Sequence, residues 1–357
     1  MAFDRITLAR FRNHRDSQLD GARPFNLLVG ENGAGKTNIL EALSLLAPGR
    51  GLRRAALEEI AQEGGGAGFA VGADLSPAGV RLGTHTDAER VGRRQVRING
   101  AASTAVALAE WVSVSWLTPA MDGLFTGTAS ERRQFLDRLA VALDPLHAAH
   151  ASRYAAATRE RNRLLAAEGL VEAAWFDGIE RLMAEHGAAL SRGRAALVAA
   201  LDTELRGVDE GPFARPALAY QPGGPGDAAA LHRALVAGRE EDRAARRTLT
   251  GPHRDELSVT LAAKGIPAAQ GSTGEQKAML IAITLAHADL AARGRASVLL
   301  LDEVAAHLDP VRRAALFERL RASAAQVWMT GTEITPFAEI ADEAAVWRVS
   351  DGRAERV

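Results

Sequence analysis

Apolar positions along the chain change period several times, and each change predicts an element. In RITLARFRN, Ile6 and Leu8 alternate with polar neighbours and Phe11 follows, the pattern of an edge strand. PFNLLVG, residues 24–30, is a short apolar run closed by glycine and predicts a buried strand. From Lys36 the spacing becomes helical: Ile39, Leu40, Leu43 and Leu46 recur on one face until Pro48 and Gly49 stop them. EGGGAG, residues 63–68, predicts a turn or loop. In RRQVRINGAA, Val96 and Ile98 alternate into Asn99-Gly100, a two-residue hairpin signal.

From about residue 130 to 247 the pattern is helical and rich in Ala, Leu, Arg and Glu. It breaks at Asp144-Pro145, at Gly169 and across 221–227. No heptad pattern is sustained, which argues against a long coiled coil. Strand character then returns in ASVLLLDE and AAQVWMTGT, and AAVWRVSDGRAERV reads as a closing hairpin. The order predicts an α/β head domain built from residues 1–118 and 250–357, with a helical domain, 119–249, inserted.

Composition narrows the function classes. The chain has 357 residues, 47% hydrophobic and 24% charged, enough for a sizeable core. Net charge is −1, so any nucleic-acid partner must be met by local patches rather than by a basic surface. Lysine occurs only at Lys36, Lys264 and Lys277; the remaining positive charge is arginine. There is no cysteine, which removes disulfides and thiolate metal sites. The charged N-terminal segment does not read as a signal peptide, and no apolar run approaches the roughly 18 residues of a membrane span. A soluble, cytoplasmic protein without a membrane partner is expected.

Two motifs carry chemistry. GENGAGKT, Gly30, Glu31, Asn32, Gly33, Ala34, Gly35, Lys36 and Thr37, fits G-x-x-x-x-G-K-[ST] between an apolar strand and a helix, with Asn38 following. Such a loop wraps phosphates with backbone N–H groups; Lys36 reaches the β and γ phosphates of ATP, and the Thr37 hydroxyl binds Mg²⁺. In SVLLLDEV, a strand delivers Asp302 to the same Mg²⁺ and Glu303 to the attacking water. The pair points to a nucleoside-triphosphate site. The second acid favours hydrolysis over binding alone.

A third stretch, QGSTGEQKAML, holds S-x-x-E at Ser272 and Glu275, a capping box at a helix start. It lies one helix upstream of the Asp-Glu strand, which is followed by HLDP. That order resembles the ABC-type ATPases, whose L-S-G-G-Q signature would fall on Gly271, Ser272, Thr273, Gly274 and Glu275, with Thr273 in place of the first glycine of the pair. The resemblance implies that Ser272, Gly274 and Glu275 complete the ATP site of a second subunit, and that Asp309 belongs to a D-loop crossing the interface.

Further segments are more specific: ITLARFRNHRD, SERRQFLDRL, RYAAATRERNRLL, LTGPHRDEL and LLLDEVAAHLD, taken in order with the motifs above, resemble the RecF family of bacterial recombination-repair proteins. The likeness runs nearly end to end. It implies an SMC-head-like P-loop ATPase core with no long coiled coil. It also implies an ATP-dependent homodimer that binds DNA, single-stranded or duplex, at gaps or junctions. The family hydrolyses ATP slowly and helps load RecA with RecR and RecO. The arginine pairs at 53–54, 93–94, 132–133, 246–247 and 312–313 suit phosphate contacts, but such pairs are usually solvated faces. GPHRDEL, with His253 and Arg254, reads either as a hinge or as a γ-phosphate sensor.

Two departures from transporter ATPases stand out: Thr330 and Thr332 occupy the region where those proteins carry a histidine, and SWLTPAMD offers no Q-loop glutamine. Both leave coupling of hydrolysis to the helical domain open and fit a slow, switch-like ATPase. A transporter ATPase subunit and a non-hydrolysing ATP-gated scaffold are the competing readings.

Overall fold

The computed structural model describes residues 1–61, 68–87, 92–167, 172–207, 211–292 and 294–357. The loop expected at 63–68 lies outside them apart from Gly68, and so does the break expected at Gly169. In chain order the described strands are β1 (Ala2–Phe11), β2 (His14–Asp20), β3 (Phe25–Val29), β4 (Ala70–Ser76), β5 (Val80–His85), β6 (Gln95–Ile98), β7 (Ala101–Ser103) and β8 (Val112–Leu117). After a mainly helical stretch come β9 (Pro216–Gln221), β10 (Glu256–Leu261), β11 (Ile266–Pro267), β12 (Ala296–Leu301), β13 (Gln326–Gly331), β14 (Ala344–Ser350) and β15 (Arg353–Arg356).

Contacts divide the chain into two compact units. Met1–Asp122 and Leu280–Val357 build the first, and the second takes in most of residues 123–279. The first unit holds two six-stranded sheets. One is antiparallel, in the order β2-β1-β4-β5-β6-β7; the other runs β15-β14-β3-β13-β12-β8. In the second sheet every pair is parallel except β14 with β15. Strands β8, β12 and β13 are buried at every position, as expected of a parallel sheet covered on both faces. Ile6 and Leu8 of the first sheet share a core with Leu28, Val298, Leu300 and Trp328 of the second and with Ile39, Leu40 and Leu43 of the helix Lys36–Ser44.

β1 is not an edge strand. It pairs with β2 on one side and β4 on the other. Alternation reports burial of one face, which edge and interior strands of an antiparallel sheet share. The two hairpin turns expected from the sequence fall at Asn-Gly and Asp-Gly: Asn99 and Gly100 have φ of +50° and +82°, Asp351 and Gly352 of +46° and +71°.

The second unit is mainly helical but contains the strand β9, within the span that reads as helix by composition. β9 pairs antiparallel with β10 along its length. This pairing holds residues 250–279 with the second unit, so the observed division falls at Met279 and Leu280 rather than at 250. A cluster of Tyr154, Met183, Leu190, Leu231 and Leu235 forms its apolar centre. Among the described residues no helix is long and apolar enough to cross a membrane.

Candidate active site

The carboxyl ends of the parallel strands set the site. β13 lies between β3 and β12, so the loop after β3, the end of β13 and the acids after β12 meet at one edge. The loop at residues 30–35 leaves β3 and turns into the helix Lys36–Ser44. Gly30 passes so close to β14 that an added Cβ would stand 2.1 Å from the Val349 carbonyl oxygen. Gly35, the N-cap, sits at φ +117°, a left-handed region open to glycine, and offers no side chain to cap the helix. The first N–H groups of that helix are therefore not taken by an N-cap side chain, the arrangement that favours an anion.

The outside of the loop is tied down by carbonyls. Asn13 Nδ2 donates to the Ala34 carbonyl at 3.0 Å, and the Gly352 N–H donates to the same oxygen at 3.0 Å. His14 Nε2 donates to the Gly35 carbonyl at 3.0 Å. A trans peptide points its N–H opposite its C=O, so the N–H groups of Gly35 and Lys36 face away from these braces. His14 is fully buried, and burial lowers its pKa below the usual histidine value. The brace joins the β1–β2 turn and the β14–β15 turn to the loop. From the sequence, FRNH reads only as part of a strand and of a family motif.

Lys36 is buried, and its Nζ donates to the carbonyls of Gly30 at 2.6 Å and Glu31 at 2.8 Å. An ammonium has three donors, so these two bonds leave one for a phosphate oxygen. Burial lowers the Lys36 pKa, opposed by the charges of Glu303 and Asp302. The Thr37 hydroxyl meets Asp302 Oδ1 at 2.9 Å and Oδ2 at 3.2 Å. Asp302 Oδ1 also accepts from the Thr330 hydroxyl at 2.8 Å, and the Glu303 N–H donates to Thr330 Oγ1 at 2.9 Å. Glu303 has φ +55°, a left-handed conformation that costs a non-glycine residue about 1–2 kcal/mol.

These oxygens fit Mg²⁺. Octahedral coordination at about 2.0–2.1 Å puts neighbouring ligands about 2.9 Å apart, close to the Thr37–Asp302 separation. Among the described residues no cluster of three His, Cys, Asp or Glu could hold a metal. A site with one hydroxyl and one carboxylate, completed by substrate phosphates, suits Mg²⁺ rather than a metal held by protein alone.

On the loop helix itself, Glu41 is buried and accepts from Arg12 Nε at 3.0 Å and NH2 at 2.8 Å. Arg53 adds a bond to Glu41 at 2.9 Å and one to Asn38 Oδ1 at 2.7 Å, so it serves the loop helix. Arg94, whose pKa burial lowers to about 10, is spent on the carbonyls of Gly49 and Ala47.

In the second unit, Ser272 and Glu275 form the reciprocal cap. The Glu275 N–H donates to Ser272 Oγ at 3.3 Å, and the Ser272 N–H to Glu275 Oε2 at 2.8 Å. Lys264 pairs with Glu275 at 2.7 Å, and that bond, with those from Ser272, lowers the Glu275 pKa to about 2. Thr273 and Gly274 open the helix Thr273–Ala291. In the first unit Asp309 caps the helix Pro310–Ala322, accepting from the Arg312 N–H at 3.0 Å. Thr332 is exposed at the end of β13, apart from the buried Thr330.

The remaining family segments converge within the second unit. Arg132 forms a two-pronged pair with Glu256 at 2.7 and 2.9 Å, and Arg133 donates to the Asp255 carbonyl at 2.9 Å. Asp255 is fully buried and takes Arg194 at 2.9 Å, Tyr220 at 2.5 Å and the Gly223 N–H at 2.8 Å. His253 Nε2 meets the Thr248 carbonyl at 3.0 Å and Nδ1 meets the Tyr154 hydroxyl at 2.8 Å. A carbonyl only accepts, so the proton sits on Nε2 and Tyr154 donates to Nδ1. Arg254 is exposed.

Comparison with known proteins gives the family. The model of the RecF/RecN/SMC N terminal domain matches residues 2–353. The DNA replication and repair protein RecF of Mesorhizobium japonicum is 47% identical over 368 residues, covering 98% of this chain and 96% of that protein. The RecF protein of Brucella suis is 46% identical over 367 residues, covering 98% and 94%. A solved structure of the recombination mediator protein RecF-ATP in the RecFOR pathway matches with a TM-score of 0.82 at 21% identity, covering 100% of this chain and 97% of that one. An SMC head bound to the C-winged helix domain of ScpA matches with a TM-score of 0.51 at 15% identity, covering 100% and 97%.

The fold is thus that of an SMC-head-type P-loop ATPase. The chain belongs to the RecF family of DNA replication and repair proteins, as its sequence motifs lead one to expect. This membership sets aside the transporter reading.

Proposed function

We propose that the chain binds ATP on residues 30–38, hydrolyses it slowly, and uses the bound nucleotide to hold two copies together around DNA. The observation that carries the reading is the meeting of Lys36, Thr37, Asp302 and Glu303 at one sheet edge. Lys36 neutralises the β and γ phosphates. Thr37 and Asp302 would hold Mg²⁺, which would supply charge neutralisation at the phosphate oxygens. Glu303 accepts a proton from the attacking water and aims it at the γ phosphorus.

The capped helix start at Ser272, Gly274 and Glu275 is, in this reading, presented to the γ phosphate of a second copy, with Asp309 at the same interface. Ser272 is exposed, as such a role requires. Hydrolysis removes the group that bridges the two copies, so the dimer loosens and DNA is released. Family membership supports action in the cytoplasm at gapped or branched DNA, with RecR- and RecO-like partners and loading of RecA.

Sedimentation of Glu303→Gln with Mg²⁺-ATP, with and without a labelled gapped duplex, tests this. A doubled mass that alone carries the DNA supports the dimer. A monomer with ATP bound reduces the Ser272 helix start to a cap and ends the timer mechanism. Turnover unchanged by Glu303→Gln favours the non-hydrolysing scaffold.

A further inference from the structure

The geometry points to Thr330 as a positioning residue that sets Asp302 and Glu303 together through one hydroxyl. Thr330 is wholly buried at the end of β13, between the strands that carry the phosphate loop and the acids, and it bonds both acids. Its single proton goes to Asp302 Oδ1 at 2.8 Å, and its oxygen accepts the Glu303 N–H at 2.9 Å. A hydroxyl has one donor and two lone pairs; valine, the same shape, has neither.

The two bonds act on different atoms. The first orients the carboxylate that Thr37 also contacts. The Thr37 hydroxyl can keep its proton on Asp302 and still have a lone pair that would face Mg²⁺, so Thr330 supplies the second hydroxyl donor to the same carboxylate. The second bond anchors the Glu303 backbone at its φ of +55° and thereby aims the Glu303 side chain. A residue behind a metal ligand that fixes its orientation is worth about 10–100-fold in metal affinity or activity.

This inference rests on the nucleotide reading above, and the experiment separates the two. Thr330→Val and Thr330→Ser are prepared in the full chain. A fluorescent ATP analogue reports binding across a Mg²⁺ titration, turnover is measured in parallel, and melting is followed without ligand. For Thr330→Val the expectation is unchanged binding without Mg²⁺. The Mg²⁺ needed for half-maximal effect should rise, and turnover fall, by about 10–100-fold. Thr330→Ser, which keeps the hydroxyl, should recover most of both.

Wild-type Mg²⁺ dependence and turnover in Thr330→Val overturn the inference and leave the nucleotide reading standing. If valine lowers melting, serine decides: recovery supports the hydroxyl, and a loss equal to that of valine overturns its role. A wild-type chain that does not bind the analogue ends both readings.

Discussion

Arg161 and Glu180 are both fully buried, and the guanidinium Nε donates to the carboxylate at 2.9 Å. The same arginine reaches Asp242, Thr248 Oγ1 at 3.0 Å and the Leu235 carbonyl at 2.9 Å. Four elements of the second unit thus hang on one side chain from RYAAATRERNRLL. Arg161→Ala removes one cation from two buried carboxylates, of which Glu180 keeps Arg239 and Asp242 keeps the Leu249 N–H, so the cost should be at most about 3–5 kcal/mol. The urea midpoint should fall accordingly. A midpoint within error of wild type would show the acids solvated.

Lys36→Ala removes a cation whose two visible bonds are to its own loop. A charged hydrogen bond is worth about 1.5–3 kcal/mol, so affinity for an ATP analogue should drop at least about tenfold, with melting little changed. Equal affinity in isothermal titration would remove Lys36 from the phosphate site.

Ser272→Ala separates cap from signature. Loss of an N-cap oxygen costs about 1 kcal/mol, a small shift in melting. If Ser272 also meets a second copy's phosphate, the ATP-dependent dimer should fail at concentrations where wild type forms it. A variant that melts slightly lower yet dimerises normally confines Ser272 to capping.

Acid should weaken the fold before carboxylates titrate. Burial holds the pKa values of His14, His186 and His253 below the ordinary histidine value of 6.5. Below that pH the unfolded chain takes up protons the folded chain refuses, so stability is full above about pH 6.5 and falls as pH drops towards the folded values. A proton on His253 Nδ1 would also force the Tyr154 hydroxyl to turn from donor to acceptor. Denaturant midpoints at pH 7.5 and 5.5 should differ, and His253→Gln should narrow the gap. Identical midpoints in the wild type would contradict the buried neutral assignment.

Much of the first unit was legible because its signals are local. A phosphate loop needs glycines at fixed offsets between a strand and a helix, and a hairpin needs Asn-Gly at its turn. The edge assignment of β1 failed because alternation records which face is buried, not how many neighbours a strand has. β9 escaped notice because its evidence is a partner, β10, beyond two intervening helices. The same pairing moves the contact division to Met279 and Leu280, away from the boundary expected at 250.

By itself, then, the sequence determined the family, the phosphate loop, the Asp-Glu pair and the capped helix at Ser272, all carried by residue types at short spacing. Tertiary structure alone decided that Asn13 and His14 brace the loop, that Thr330 joins Asp302 to Glu303, and that Arg53, Arg94, Arg132 and Arg133 are bound to this chain's own carboxylates and carbonyls. The physical reason is range. A hydrogen bond is fixed by about 3 Å of space, and Thr37 and Asp302, 265 positions apart, reach that distance only after the parallel sheet has ordered its strands.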